Sequence, residues 1–462
     1  MKLKPIFLTV LLLVGLGLHA QPITLDIHKK AQPVEGWGVS LCWWAHMTGS
    51  WTDAHIDQLV DWLVSPEGLN YNVFRYNIGG GDDPKNRNCE PHHMGKGKGI
   101  RAEMPGFKQY PDDPYDWDAD AAQVKILLKI KEKRPDAIFE AFSNSAPWYM
   151  TKSGCVAGAA DKNADNLKPE CYADFARYLV DVCVHFKEAY GVEFYTLEPF
   201  NESHSDYWYQ NGSQEGCHFD TESQVAVLKE IYPLLKASGL STVLAASDET
   251  STAHSLQVFA GYDEAFPLIG QWNTHTYSAT NQERMLLHDK AIAKGLRLWQ
   301  SESGSGGKGI SGNLKLLQRL FDDMRYLQPT VWCDWQYVEE KGDQWCTVTG
   351  NFSSQVFERN KNYYVRQQIT RFIKQGYTLL EVAQDQTLAA ISPNGKELVV
   401  AVLNNEDTPV SYTYALTAKP KRITQYTTTE KENLQPATVK AIGKTLQVSL
   451  HPHSVQTFVI QL

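Results

Sequence analysis

The sequence predicts a parallel (β/α)₈ barrel followed by an antiparallel β-sandwich. Eight apolar stretches recur along the chain, and amphipathic stretches with helical spacing separate most of them. Strands that are apolar throughout are buried on both faces, which is typical of parallel sheets covered by helices. Beyond residue 376 the helical patterns give way to short alternating runs between turn signals, and this change predicts the sandwich.

The first 20 residues have the pattern of a secretory signal peptide. Lys2 and Lys4 precede an apolar run from Pro5 to Leu18, which is too short to span a membrane, and Ala20 offers a small residue for cleavage. No cysteine directly follows this position for lipid attachment. We therefore expect a secreted or periplasmic protein without a membrane span.

Residues 36–376 are predicted to form the barrel, and residues 21–35, with the strand-like ITLDI, are predicted to add a strand to the sandwich. The candidate barrel strands are VEGWGVSLCWW from Val34, YNVFRYNIGGG from Tyr71, AIFEAFSNSAPW from Ala137, EFYTLEPFNE from Glu193, TVLAASDET from Thr242, IGQWNTHTYS from Ile269, LRLWQSESG from Leu296 and PTVWCDWQYV from Pro329. Helical spacing is clearest in residues 118–133, 172–190, 223–237 and 314–327. An open doubly wound sheet would alternate in the same way, but no GxGxxG follows the first strand.

Residues 79–118 form the longest stretch without a period, and we expect them to overhang the barrel mouth. His92, His93 and the sequence GKGKG in this stretch lack carboxylates at metal-ligand spacing and lack a helix that opens on the glycines. GSGGKG at Gly304 lacks the GK[ST] ending of a phosphate-binding loop. The sequence therefore predicts no metal and no cofactor.

Residues 377–462 are predicted to form the sandwich domain. Their alternating runs are separated by turn signals such as NGK and NNED. The runs are TLAAIS, ELVVAVLNN, SYTYALT, TLQVSL and SVQTFVIQL.

Composition points to a carbohydrate partner. The net charge of −9 and the pI of about 5.9 argue against nucleic acid or an anionic membrane as the main partner. The chain has 13 Trp and 22 Tyr, and aromatic rings stack on the apolar faces of sugars, although a large core also uses aromatic residues. We expect a polysaccharide or oligosaccharide substrate and a monomeric protein.

The eight cysteines show neither a CxxC pair nor a Cys/His spacing suited to zinc. Because export permits disulfides, Cys155–Cys171 or Cys333–Cys346 could each close a short loop. The sequence leaves the pairing open.

Polar and aromatic residues stand where most of the predicted strands end. Active sites of such barrels are built at the carboxyl ends of the strands, so we expect these side chains to line one site. They are Arg75, Asn77, Asn144, Trp148, Asn201, Glu202, His275, Tyr277, Glu302 and Trp335.

Glu202 ends the fourth predicted strand and Glu302 ends the seventh, so the two carboxyls face each other across the mouth. Glycoside hydrolysis needs such a pair: one acid protonates the leaving oxygen, and the other carboxylate attacks the anomeric carbon or activates water. We expect desolvation to raise the pKa of Glu202, the proton donor. We expect Arg75 to lower the pKa of Glu302, and Tyr277 or His275 to hydrogen-bond that carboxylate.

Glu198 lies four residues before Glu202, about 13 Å away along a strand, which is too far for the two to flank one bond. We expect Glu198 to be a structural carboxylate that is ion-paired with a buried basic side chain. Asn201, by contrast, is placed to donate to a sugar 2-hydroxyl.

The motifs GWGVSLCWW, FRYNIGGG, FSNSAPWYMTKSG, EPFNE, HTY and LWQSESG, in this order, resemble glycoside hydrolase family 30, which belongs to a clan of retaining barrel enzymes. The similarity runs from Val34 to Tyr377, and the region that follows resembles that family's side domain. The resemblance implies that Glu202 is the acid/base and Glu302 the nucleophile. It also implies substrate binding by Arg75, Asn144, Trp148, Asn201, His275, Tyr277 and Trp335.

Within the family, NSAPWYMTKSG and the GGGD turn are most similar to the endo-β-1,6-galactanase branch. The resemblance therefore implies cleavage of β-1,6-galactan, such as arabinogalactan side chains, by double displacement. The alternatives are a β-1,6-glucanase, an exo-β-glucosidase or a xylanase-like member of the same family, and a barrel that only binds carbohydrate.

Overall fold

The structure is a computed structural model that describes residues 21–85, 104–210, 212–340, 342 and 344–462. The predicted signal peptide and the part of the 79–118 stretch that holds His92, His93 and GKGKG lie outside these residues. The described strands are β1 (Ile23–Leu25), β2 (Lys30–Pro33), β3 (Gly36–Ser40), β4 (Val73–Asn77), β5 (Ile138–Phe142), β6 (Thr196–Glu198), β7 (Val243–Ser251), β8 (Gln271–Ser278), β9 (Arg297–Ser303), β10 (Val331–Asp334), β11 (Val338–Glu339), β12 (Val348–Asn351), β13 (Val356–Arg359), β14 (Thr378–Leu380), β15 (Thr387–Ile391), β16 (Glu397–Asn404), β17 (Val410–Leu416), β18 (Arg422–Thr428), β19 (Gln435–Val439), β20 (Thr445–Leu450) and β21 (Ser454–Gln461). The described α-helices are α1 (Trp44–Thr48), α2 (Asp53–Val64), α3 (Ala121–Lys133), α4 (Tyr172–Tyr190), α5 (Thr221–Ala237), α6 (Thr252–Phe259), α7 (Asn281–Ala293), α8 (Gly309–Asp322) and α9 (Lys361–Thr370).

Strands β3 to β10 close into a parallel barrel in chain order, and β10 pairs with β3 to complete the circle. Each of these strands lies within one of the eight apolar stretches identified in the sequence, except that β7 extends one residue beyond its stretch, to Ser251, so the predicted fold class is confirmed. Helices α2 to α8 alternate with the strands, as the helical spacing predicted. The carboxyl ends of parallel strands meet at one rim of the barrel, and this rim forms the mouth described below.

Local sequence explains where the helices begin and end. α7 starts with a capping box, in which the Thr280 hydroxyl accepts from the Glu283 amide while the Glu283 carboxylate accepts from the Thr280 amide. α4 ends at Gly191, whose φ of 62° lies in the left-handed region that glycine adopts at low cost. Along α5 the buried face repeats at helical spacing, through Val225, Leu228, Ile231 and Leu235.

The β region after α9 consists of a seven-stranded sheet in the order β19-β18-β21-β16-β15-β14-β2 and a three-stranded sheet in the order β1-β17-β20. One cluster of buried apolar side chains, including Leu25, Val400, Leu446 and Phe458, joins the two sheets. The segment before the barrel contributes to both sheets, because β1 pairs with β17 and β2 pairs with β14.

A small sheet of β11, β12 and β13 between β10 and α9 was not anticipated from the sequence. Its strands have only two to four residues each, and such short runs carry little periodicity. β18 and β19 were also missed, because their residues are mostly polar and partly exposed.

Neither disulfide that the sequence allowed is present. Cys155 is disulfide-bonded, but Cys171, Cys333 and Cys346 are free thiols, so Cys155–Cys171 and Cys333–Cys346 are both wrong as pairings. None of the helices in the described ranges is long and apolar enough to cross a membrane.

Candidate active site

Glu202 and Glu302 meet at the barrel mouth, although the chain separates them by a hundred residues. One oxygen of each carboxyl and one ring nitrogen of His275 all lie within 4.8 Å of one another. Both carboxyls are buried apart from a few per cent of their surface. They border a cavity of about 360 Å³ whose lining is Glu202, Tyr207, Gln214, Thr250, Tyr277, Glu302, Trp335 and Trp345.

Glu302 is held on both of its oxygens. The Tyr277 hydroxyl donates to Oε1 at 2.9 Å, and Arg75 Nη1 donates to Oε2 at 3.2 Å. The Ser40 hydroxyl adds a longer hydrogen bond of 3.4 Å to Oε2. The β8–β9 pairing shifts register just before His275 pairs with Glu302, and an irregularity of this kind at a strand end re-aims the side chains that follow it.

Arg75 is fully buried in the middle of β4, where alternation turns it into the barrel. Its Nε donates to Glu140 at 2.8 Å, and its Nη2 donates to Asp248. With Glu302 the guanidinium thus faces three carboxylates. Burying a guanidinium costs several kcal/mol unless it is paired and hydrogen-bonded, and these contacts supply both.

Glu202 follows β6 and has a φ of 52°, which is strained for a residue other than glycine. Hydrogen bonds hold this conformation on both sides: its amide donates to the Asp248 carbonyl at 2.8 Å, and its carbonyl accepts from Trp208 Nε1 at 2.8 Å. Its Oε1 accepts from His275 Nδ1 at 2.9 Å, and its Oε2 accepts from the Tyr207 hydroxyl.

His275 connects the carboxylates of the site. Besides its contact with Glu202, its Nε2 forms an ion pair with Asp248 at 3.2 Å. Burial lowers the pKa of His275, but the charges of Asp248 and Glu302 and the hydrogen bond to Glu202 outweigh burial and raise the pKa to about 10. His275 is therefore an imidazolium at neutral pH, which donates from Nδ1 to Glu202 and pairs through Nε2 with the Asp248 carboxylate.

In the free site the pKa shifts of the two glutamates are opposite to those expected from the sequence. Burial raises the pKa of Glu202, but hydrogen bonds from His275 and Tyr207 and the charge of His275 bring it below its ordinary value. Burial raises the pKa of Glu302 by more than His275 and Arg75 lower it. The two carboxyls interact, so their titrations are linked. In the free site the pKa of Glu302 is shifted up and that of Glu202 is shifted down.

The other predicted substrate-binding residues divide into two groups. Trp335 lines the cavity, and Asn201 beside Glu202 has a buried Oδ1 with no hydrogen-bond partner among the described residues. Asn144 instead points its amide at the Cys42 sulfur, 3.9 Å away. Trp148 donates to the Gln109 carbonyl at 3.1 Å and lines a second cavity of about 420 Å³.

Asp248 and Tyr207 are site residues that the sequence reasoning missed. Asp248 comes near the end of the fifth barrel strand, β7, and applying the strand-end rule to that strand would have found it. Tyr207 lies in a loop five residues after Glu202 and carries no comparable signal.

Two sets of three side chains in the described part of the chain bring potential metal-ligand atoms within 4.8 Å of one another: Glu202, His275 and Glu302, and Asp165, His218 and Asp220. In the first set, His275 Nδ1 and a Glu202 oxygen are hydrogen-bonded to each other at 2.9 Å, and both Glu302 oxygens accept hydrogen bonds. In the second set, Asp165 accepts from the Asp220 amide at 2.5 Å at the start of α5, and His218 pairs with Asp220 at 3.2 Å. We assign no metal to either set.

Glu198 differs from its expected role. It is fully buried, and its Oε1 accepts from the Phe200 amide at 3.3 Å, but it forms no ion pair with any basic side chain in the described ranges. Burial first, and then the neighbouring charges of Asp248 and Glu140, raise the pKa of Glu198 well above its ordinary value. The raised pKa favours the neutral acid, and the expected ion pair is wrong.

Near pH 4, replacing Glu198 with glutamine should change stability by less than about 1 kcal/mol, because the acid is neutral there in the folded and in the unfolded chain and the amide has the same shape. A raised pKa in the folded state favours folding fully below the ordinary value of 4.5 and loses this contribution as pH rises through the folded value. The wild type should therefore lose more stability than the variant between pH 5 and pH 9. Thermal melts across this range test the expectation, and equal pH dependence of the two proteins would contradict it.

Comparison with known proteins places this site in a family. The endo-β-1,6-galactanase of Hypocrea rufa is 31% identical over 401 residues, which cover 83% of this chain and 81% of that protein. The exo-β-1,6-galactobiohydrolase of Bifidobacterium longum subsp. longum is 28% identical over 408 residues, with 67% of this chain and only 26% of that longer protein covered. The catalytic domain of the GH30 xylanase C from Talaromyces cellulolyticus shares the fold, with a TM-score of 0.76, 17% identity, and coverage of 96% of this chain and 100% of that one.

Residues 20–260, about half of the chain, match the family described as O-Glycosyl hydrolase family 30. The match contains most of the barrel strands and Glu202, and the similarity to the Hypocrea galactanase extends over most of both proteins. The chain is therefore a glycosyl hydrolase and belongs to O-glycosyl hydrolase family 30.

Proposed function

We propose that this protein is an exported, retaining endo-β-1,6-galactanase. The observation that carries the retaining mechanism is the approach of the two carboxyls, with one oxygen of each within 4.8 Å. Retaining enzymes hold their carboxyls about 5–5.5 Å apart, whereas inverting enzymes leave about 6.5–9.5 Å for a water. The similarity to an endo-β-1,6-galactanase supports the substrate, and the leader pattern of the first 20 residues supports export.

In the first step the Glu302 carboxylate bonds to the anomeric carbon as the glycosidic C–O bond breaks. The proton of Glu202 passes to the leaving oxygen, and a β-linked galactosyl unit becomes an α-linked ester of Glu302. Arg75 and Tyr277, which hydrogen-bond the two oxygens of Glu302, hold the nucleophile in position while its charge is consumed.

In the second step the Glu202 carboxylate takes a proton from a water, and the water oxygen bonds to the anomeric carbon. The ester bond breaks and returns the Glu302 carboxylate, so the product has the β configuration of the substrate. His275, which donates to Glu202, favours its ionised form and so suits this base role.

The first step requires a proton on Glu202 and none on Glu302, which is the opposite of the preference in the free site. Substrate binding that raises the pKa of Glu202 favours the protonation that this step requires. Exclusion of water by the sugar and loss of hydrogen bonds at Glu202 are the changes that would do so.

Two measurements on linear β-1,6-galactan test this function. Proton NMR of the reaction in progress should show the β anomer of the new reducing end first, before mutarotation. Chromatography of the products should show a ladder of oligosaccharides of several lengths early in the reaction.

An α anomer formed first would exclude double displacement, and a single disaccharide product would make the enzyme exo-acting, as the Bifidobacterium relative's name describes. Turnover of β-1,6-glucan or xylan in preference to galactan would exclude the galactanase assignment. The mass of the exported protein tests the leader, because cleavage after Ala20 leaves Gln21 first.

A further inference from the structure

Tyr207 stands at the mouth of the cavity, in direct contact with the acid/base residue. Its side chain is 42% exposed, in contrast to the buried carboxyls behind it. Its hydroxyl donates to Glu202 Oε2 and lies 3.5 Å from the Thr250 hydroxyl. Because this large aromatic ring is exposed, the Tyr207 side chain can rotate away from Glu202 without exposing the buried core.

The two oxygens of Glu202 have different surroundings. Oε1 accepts from His275, which is fully buried, whereas Oε2 accepts from Tyr207, which lines the cavity. A general acid must hydrogen-bond the leaving oxygen that it protonates. Because Oε1 is already held by the buried His275, we place the leaving oxygen at Oε2, in the position that the Tyr207 hydroxyl occupies.

The backbone beside Tyr207 is fixed even though its side chain is exposed. The neighbouring Trp208 is buried, and its indole nitrogen donates to the Glu202 carbonyl at 2.8 Å. Its ring packs so closely on Gly216 that a Cβ on that residue would lie 2.2 Å from a ring atom. Displacement of the hydroxyl therefore involves rotation of the Tyr207 side chain, and Thr250 offers the displaced hydroxyl a nearby partner.

We propose that the Tyr207 hydroxyl occupies the leaving-group position in the free enzyme, and that the incoming sugar displaces it from Glu202 and binds against its ring. Tyr207 is thus a positioning residue for Glu202 and part of the first subsite on the leaving-group side. The inference rests on the proposed function, because it requires Glu202 to be the proton donor.

This displacement favours the protonation of Glu202 that the first step requires. The hydrogen bond from Tyr207 helps to hold the pKa of Glu202 below its ordinary value, together with His275. The other charged groups near Glu202 and His275 are Glu302, Asp248 and Arg75, and the ion pairs among these groups do not involve Tyr207. Loss of the Tyr207 hydrogen bond raises the proton affinity of Glu202 only when a leaving group is present.

The test uses two variants of Tyr207 and two matched controls. Tyr207→Phe removes the hydroxyl, and Tyr207→Ala removes the ring as well. Tyr209, two residues along the same loop, is 46% exposed and does not line the cavity, so Tyr209→Phe and Tyr209→Ala remove the same groups nearby. Each protein is assayed on β-1,6-galactan and on 2,4-dinitrophenyl β-1,6-galactobioside, whose leaving group needs neither a proton nor a sugar subsite.

For Tyr207→Phe on galactan, we expect the acid limb of kcat/KM against pH to move up by about one unit, because the lower pKa of the free site is that of Glu202 and a lost hydrogen bond to a charged group raises it by roughly that much. For Tyr207→Ala we expect KM for galactan to rise by about tenfold, a typical loss when one stacking ring is removed. Neither variant should change kcat/KM on the dinitrophenyl substrate by more than about threefold, and both Tyr209 variants should match the wild type.

An unchanged pH profile in Tyr207→Phe together with an unchanged KM in Tyr207→Ala would overturn the inference. An equal fall in kcat/KM on both substrates would also overturn it, because that result would indicate a structural role for Tyr207. If the wild type itself fails to cleave galactan, the proposed function fails instead, independently of Tyr207.

Discussion

Replacing Glu302 with glutamine will lower kcat/KM on β-1,6-galactan by about 10⁴-fold or more, because an amide cannot form the glycosyl ester. Glutamine keeps the volume of the acid and one carbonyl oxygen for the donors that surround Glu302, namely Tyr277 and Arg75. The loss therefore reports the missing nucleophile and not a cavity. Rates of reducing-sugar release, with a thermal melt of each protein, measure the effect.

Glu198→Gln is the matched control for this variant. It makes the same change at a fully buried glutamate of the same barrel, but Glu198 does not line the cavity. We expect the control to keep its activity within about threefold. Retention of more than a tenth of the wild-type rate by Glu302→Gln would rule out Glu302 as the nucleophile.

The barrel was predictable because two physical signals agree along the chain. Strands buried on both faces read as apolar stretches, and the intervening helices bury one face and read with helical spacing. The positions of Glu202 and Glu302 followed from the same topology, since the ends of parallel strands meet at one rim. Trp335 and Tyr277, two other strand-end residues, do line the cavity.

What the sequence could not supply is the direction of each side chain and the balance of charges. Asn144 and Trp148 stand after a barrel strand as expected, yet the chain turns them toward Cys42 and Gln109. The pKa order of the two glutamates depends on Tyr207 and Asp248, which come from a loop and from another strand. Tertiary packing determines which of these side chains approach the two glutamates, and no local sequence pattern predicts it.

Asp248 is the residue whose loss should disturb the most contacts at once. It is fully buried, it accepts from Arg75 and from the Ser301 hydroxyl, and it pairs with His275 at 3.2 Å. Charge from Arg75 and His275 lowers the pKa of Asp248 to about 2 in spite of burial, so Asp248 is ionised at neutral pH. We expect Asp248→Asn to lower kcat/KM on galactan by about 10²–10³-fold, because His275 then loses its charge and no longer orients Glu202.

The pH dependence of the stability of Asp248→Asn should show whether loss of the His275 charge is the cause of the lower activity. The raised pKa of His275 contributes stability that is complete below its ordinary value of 6.5 and is lost as pH rises through about 10, a total of roughly 5 kcal/mol. The wild type should therefore lose stability between pH 7 and pH 10, whereas the variant should start lower, by about 3–5 kcal/mol, and decline less.

Asp323→Asn, which breaks the buried pair with Arg284 outside the cavity, is the control: it should lose comparable stability but keep its activity and the doubly protonated His275 side chain in ¹⁵N NMR at pH 8. An Asp248→Asn protein whose His275 stays doubly protonated at that pH would show that Glu302 and Glu202 alone hold its charge, and the role of Asp248 would then reduce to holding Arg75.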